Sequence, residues 1–188
     1  MKHVGNCIWH LDSGKPGIRL MILGGVHGNE QSGIVVVREL LDKFTSSPDL
    51  LTAGTLTLAF GNPAAVCRGT RGSEPHCDLN RSFQPAMWAS SGGYEYRRAA
   101  ELAEYIDRAD VLLDLHATNK PSDPFLITTA LTPRHTHLAQ AFACERLVVL
   151  SPAIIAGTAD QYINGRGGLG LSYESGLASD LSNIQAVR

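Results

Sequence analysis

Two periodicities alternate along this chain. Apolar residues fill 18–24 (IRLMILG) almost without interruption, the pattern of a strand covered on both faces. Downstream, Ile34, Val37, Leu40, Leu41 and Phe44 recur at helical spacing and predict a helix over about 30–44. The segment 55–60 (TLTLAF) alternates as a strand does and runs into Gly61-Asn62-Pro63, a turn signal. Ala99, Leu102, Ala103 and Ile106 mark one side of a second helix over about 94–108, and DVLLDL at 110–115 reads as the next strand. Further strands are expected at 4–10, 125–130, 147–150 and 169–174, with a helix at 134–144. Between 62 and 93 the chain is rich in Gly, Ser, Pro and Arg with little periodicity, a length of loop that is usually functional or disordered. Strands alternating with helices predict an α/β domain.

Composition narrows the partners more than the fold. The 188 residues suffice for one domain with a sizeable core, and the single-domain span is taken as 1–188. A net charge of −2 with scattered Arg and Lys gives no reason to expect nucleic acid or an anionic membrane. No apolar run has the length to cross a bilayer, and the N-terminus lacks the apolar region of a secretory signal. Cysteines 7, 67, 77 and 144 form no C-x-x-C pair and read as reduced thiols, so a cytoplasmic protein is expected. Cys67, His76 and Cys77 make a poor structural zinc site, because adjacent His-Cys chelates badly.

The chemistry concentrates where a buried strand hands over to a helix. Gly24-Gly25-Val26-His27-Gly28-Asn29-Glu30 places His27 and Glu30 on one tight turn at the carboxyl end of a strand, where open α/β sheets put their sites. His116, in Asp114-Leu115-His116, stands at the end of a second buried strand. Two imidazoles and one carboxylate are a common ligand set for catalytic zinc. Such an ion brings bound water's pKa down towards about 7, and the proton then needs an acceptor. Glu174, in Tyr173-Glu174-Ser175-Gly176, sits at a strand end and is the candidate general base. In the irregular region, Asn80 and Arg81 suit a carboxylate, and Arg71 suits an oxyanion. Taken singly, each of these has a bland explanation: Glu30 suits a helix N-terminus, and a lone strand-end histidine is usually structural.

In this order, G-G-V-H-G-N-E, N-P-x-A, T-R, D-L-N-R, D-L-H and E-S-G resemble the succinylglutamate desuccinylase and aspartoacylase family, a branch of the zinc carboxypeptidase-like hydrolases. The likeness runs from about residue 20 to 176 and carries expectations with it. It implies a carboxypeptidase-like mixed twisted sheet flanked by helices. One zinc ion per chain would lie on His27, Glu30 and His116, with Glu174 as general base. Arg71 would polarise the scissile carbonyl, Asn80 and Arg81 would grip the substrate's α-carboxylate, and Asp78 and Asn62 would support them. Tyr162 and Arg166 precede Glu174 where the family places a further substrate-binding residue, and Arg166 is taken as that candidate. Family members usually continue into a smaller β-rich domain, so a catalytic domain without that part is expected here. The implied reaction is hydrolysis of the amide of a small N-acyl amino acid; which acyl group, and whether the chain forms a homo-oligomer, stay open.

Three other classes compete. A metallocarboxypeptidase would share the ligands, and a metal-binding domain without catalysis would lack only the turnover. Phosphate or nucleotide binding by the Gly24–Gly33 turn lacks the Lys-Ser/Thr pair of a P-loop. His135 and His137, two apart on an expected helix, are read as surface histidines, and Trp9 and Trp88 as packing residues. Met87-Trp88 is undecided between packing and the site.

Overall fold

The computed structural model describes residues 1–90, 92–180 and 182. Eight strands form one sheet: β1 (Lys2–Gly5), β2 (Ile8–Asp12), β3 (Arg19–Gly24), β4 (Thr55–Phe60), β5 (Val111–Thr118), β6 (Phe125–Thr128), β7 (Leu147–Val149) and β8 (Leu169–Leu177). The helices are α1 (Gln31–Ser46), α2 (Pro63–Arg68), α3 (Pro85–Trp88), α4 (Tyr94–Ile106), α5 (Pro133–Ala139) and α6 (Ala159–Asn164).

Strand order is β1-β2-β4-β3-β5-β8-β6-β7. The central four, β4, β3, β5 and β8, run parallel, while β2 and β6 join them antiparallel. The sheet is therefore mixed, as expected. Helix α1 covers one face, where Val36 and Val37 pack with Leu58, Leu115 and Leu171. Helices α4 and α6 cover the other, where Ala99, Leu102, Ile106 and Ile163 meet Met21, Leu23 and Leu112. Coverage on both sides is why β3 and β5 read as continuous apolar runs.

From β3 the chain crosses through α1 to β4 on one side, and β5 lies on the other. Strand order thus reverses between β3 and β5, which opens a crevice at their carboxyl ends. No described helix is long and apolar enough to cross a membrane.

Several expected boundaries shift. The single strand at 4–10 is instead a hairpin, β1 and β2, turned at Asn6-Cys7 with Cys7 at φ 51°. The loop 62–93 contains two short helices, α2 and α3, and a 3-10 turn at Leu79–Arg81. Helix α5 ends at Ala139 rather than 144, and α6 was not anticipated. His135 is a correction: it is buried, its ring bonded to the Thr132 hydroxyl at 2.8 Å and to Asn164 Oδ1 at 2.9 Å. A histidine with both ring nitrogens satisfied can be packed inside. His137 is exposed as expected. Trp88 packs against the core with Nε1 donating to the Ser82 carbonyl, and Trp9 meets Phe60 edge-on.

Candidate metal and catalytic centre

The site begins with the backbone. After β3, Gly25 takes φ +68°, and the turn closes with Glu30 N–H donating to the His27 carbonyl. A Cβ on Gly28 would come within 2.1 Å of the Ala65 backbone, so only glycine lets this turn pass beneath α2. Glu30 is the N-cap of α1 yet makes no side-chain cap bond. Its carboxylate turns instead to the crevice, still within reach of the helix's positive end.

There it meets both imidazoles. Glu30 Oε1 lies 2.8 Å from His27 Nδ1, and Oε2 lies 3.0 Å from His116 Nδ1 and accepts a 3.0 Å bond from the Ala117 N–H. The ring centroids of His27 and His116 are 5.0 Å apart. All three side chains are buried, and one ligand atom from each falls within 4.8 Å of the others. Residues 89 positions apart in sequence (116 − 27) thus converge on one point. His116 lies within β5, which runs three residues further than the apolar pattern suggests.

The far side of each ring is held by an acid. His27 Nε2 lies 3.0 Å from Asp78 Oδ1, and His116 Nε2 lies 2.9 Å from Asp114 Oδ2. Carboxylates on the outer nitrogens keep a proton there and leave each Nδ1 lone pair for an ion. The donor types, their convergence and this outer support fit a divalent cation of the zinc class. Without an ion, the same arrangement stores protons. Burial opposes charge on His27, but its hydrogen bonds to Asp78 and Glu30 outweigh that and raise its pKa. Burial opposes charge on His116 too, and Asp114 and Glu30 hold its pKa well above the usual imidazole value. Glu30 and Asp78 are held well below the carboxylate range, the imidazoles outweighing burial.

A family model for the succinylglutamate desuccinylase/aspartoacylase catalytic domain matches residues 16–188. The chain belongs to this family. An aspartoacylase of Danio rerio is 34% identical over 125 residues, 61% of this chain and 38% of that protein. A succinylglutamate desuccinylase of Pseudomonas putida is 39% identical over 89 residues, 47% of this chain and 25% of that one. The domain therefore spans well under half the length of these relatives. Among solved structures, the succinylglutamate desuccinylase from Chromobacterium violaceum superposes with a TM-score of 0.76 at 26% identity, covering 96% of this chain and 61% of that one. Murine aminoacylase 3 gives 0.64 at 25%, covering 85% and 56%. The fold is the carboxypeptidase-like one of these relatives.

In this desuccinylase/aspartoacylase domain a cavity of about 300 Å³ opens on the three convergent residues. Arg71, Asn80, Arg81 and Glu174 line it with them. Arg71 is anchored through Nη2 to Asp78 Oδ2 at 2.9 Å, with Nη1 3.7 Å from Glu30 Oε1. Asn80 sits with Nδ2 3.3 Å from His116 Nε2, while its Oδ1 accepts from the Ala159 N–H at 3.1 Å. Arg81 donates to the Asn80 carbonyl and makes no ion pair among the described residues. Glu174 is the register partner of His116 on β8, and its Oε2 is buried without a hydrogen-bond partner among the described residues. Burial, followed by the charges of Glu30 and Asp114, pushes its carboxyl up against the pull of His116.

Three sequence candidates, Arg166, Tyr162 and Asn62, are not brought to this cavity. Arg166 pairs with Asp107 at 2.7 Å and stacks over the Tyr162 ring at 3.9 Å, away from the cavity lining. Tyr162 is committed to the same cluster, its hydroxyl donating to Asp107 and pushed up to about 12 by burial and that acid. Asn62 is wholly buried as the N-cap of α2, its Oδ1 accepting from the Ala65 N–H and its Nδ2 donating to Glu95. Met87 and Trp88 are also absent from the lining. Conversely, Asp114 and Asp160 escaped the sequence reading. Asp114 lies two before His116 on one strand, so both side chains share a face, a signal that was legible. Asp160 had no comparable signal, since α6 itself was not anticipated.

Proposed function

We propose that this domain hydrolyses the amide bond of a small N-acyl amino acid, using a zinc ion held by His27, Glu30 and His116. The observation that carries the reading is that Glu174, a half-buried carboxylate with one oxygen buried and unpartnered among the described residues, shares one cavity with the convergent His-Glu-His set. Bound there, zinc would act as a Lewis acid on the acyl carbonyl and lower the pKa of water towards about 7. Glu174 takes the proton of the attacking water at Oε2 and passes it to the leaving amine. Arg71, held in place by Asp78, faces the developing oxyanion. Asn80 and Arg81 hold the α-carboxylate of the amino-acid part.

The names of the relatives support this class, since aspartoacylase and succinylglutamate desuccinylase both denote removal of an acyl group from an amino acid. A cavity of about 300 Å³ lies at the small end of ligand sites and favours a small acylated amino acid over a peptide. A reducing, cytoplasmic setting suits the four free cysteines.

The reading is tested by zinc-loaded protein and its Glu174→Gln variant on a panel of N-acyl amino acids and peptides. The wild type is expected to release the free amino acid. The variant should keep its zinc while kcat falls by about 100-fold or more. Undiminished turnover in Glu174→Gln removes that residue from the mechanism. A zinc-loaded wild type that cleaves none of the panel leaves a metal-binding domain instead.

A further inference from the structure

The cavity has two walls of opposite character. Arg71, Asn80 and Arg81 form one. The other is made by Thr158, Asp160, Ser172 and the aliphatic Ile127, Leu150 and Ile155. Asp160 stands out within it. It is only 1% exposed, in the first turn of α6, and its Oδ1 accepts a 2.6 Å bond from the Thr158 hydroxyl. Its Oδ2 has no hydrogen-bond partner among the described residues and no cation in ion-pairing reach. A buried carboxylate oxygen without a close donor costs free energy, and a donor arriving from the cavity would offset that cost.

Two explanations within the protein fail. The oxygen does not complete a second metal site, because the described groups of three metal-donor side chains include only His27, Glu30 and His116. Nor does it hold an imidazole, as Asp78 and Asp114 already stand on the outer nitrogens. Burial pushes the Asp160 carboxyl up and the charge of Asp114 adds to the push, while the Thr158 and Thr129 hydroxyls and the Gln161 N–H resist it. A donor arriving from the cavity would relieve this.

The place of that donor follows from Asn80. Its amide reaches His116 on one side and accepts from the Ala159 N–H, next to Asp160, on the other. The Asp160 wall therefore adjoins Asn80, and with the α-carboxylate held there it is assigned to the side chain of the amino-acid part. We propose that Asp160 is a specificity-determining residue that selects N-acyl amino acids whose side chain ends in an ammonium group, against those ending in a carboxylate. A carboxylate there would face Asp160 with Asp114 close behind, and like charges in a buried wall repel strongly. The aliphatic Ile127, Leu150 and Ile155 accommodate the methylenes that carry the ammonium.

The inference rests on the amide-hydrolase reading, and binding separates the two. The probes are N-acetylornithine, the neutral N-acetylnorvaline and N-acetylaspartate, titrated calorimetrically into the zinc-loaded full chain carrying Glu174→Gln, which blocks turnover. A charge-assisted hydrogen bond at a buried site predicts N-acetylornithine tighter than either other ligand by about tenfold or more. Adding Asp160→Asn should collapse that ratio. N-acetylaspartate binding as tightly as N-acetylornithine overturns the role of Asp160 and leaves the hydrolase reading standing, as does an unchanged ranking in Asp160→Asn. Failure of all three to bind overturns the hydrolase reading, and the inference with it. Should Asp160→Asn not fold, the ranking on the Asp160 protein decides alone.

Discussion

Glu30 carries two imidazoles, one on each carboxylate oxygen, at 2.8 and 3.0 Å. Two carboxylates, Asp78 and Asp114, stand behind those imidazoles. The five groups form one chain of charge in which protons and a cation compete for the same nitrogens. The pKa of both histidines is raised in the metal-free protein, so protons persist on the rings above pH 6.5, the value for a free imidazole. This proton contributes stability that is full below pH 6.5 and is lost as pH rises through the folded-state value. Zinc needs the deprotonated nitrogens, so its affinity moves the opposite way. Zinc dissociation constants measured by chelator competition should keep falling as pH rises beyond 6.5. Over the same range the melting temperature of the metal-free protein should drop. An affinity that levels off at pH 6.5 would show the rings unperturbed. At this scale the sequence was most legible where residues share a short turn. His27 and Glu30 could be placed together from spacing alone, whereas Asp160 needed a tertiary contact between α6 and the Leu79–Arg81 turn.

At the scale of elements, the site depends on how closely α1 and α2 approach the ends of β3 and β5. A Cβ on Gly24 would lie 2.2 Å from the Gly33 carbonyl oxygen, and one on Gly33 would lie 2.7 Å from that of Leu115. Glycines thus seat the first turn of α1 directly on two strands, and Glu30 arrives at His116 because of it. Gly28 does the same for α2, and it stands between the two ligands of the turn. Gly28→Ala should therefore lower stability by ~1–3 kcal/mol, read from denaturant midpoints, because backbone rather than a flexible side chain must move. It should weaken zinc binding as well. A variant equal to wild type in both would show the turn to be loosely packed. The strands and long helices were legible because burial on both sheet faces writes continuous apolar runs and helical spacing writes α1 and α4. The short helices α2 and α6 carry too few residues for periodicity. Only their caps announce them, Asn62-Pro63 at one and Thr158 at the other.

For the whole molecule, topology does the gathering. The reversal of strand order between β3 and β5 opens the crevice, and β8 beside β5 brings Glu174 into register with His116. Nothing in local pattern tells which strands are neighbours, so the convergence was inferred from the ordered motifs rather than from periodicity. Arg166 shows the limit of that inference: near Glu174 in sequence, it was drawn by Asp107 and the Tyr162 ring to a different cluster. The domain aligns with 61% of the Chromobacterium violaceum desuccinylase, yet the described residues already include the His-Glu-His set and Glu174. Metal binding is therefore expected of this chain by itself. The most direct test is elemental analysis of protein equilibrated with zinc and then desalted, beside His27→Ala and His116→Ala. The structure predicts one zinc per chain in the wild type and a loss of most of it in each variant. Retention of a full equivalent by either variant, or none by the wild type, would contradict a shared ion at these residues.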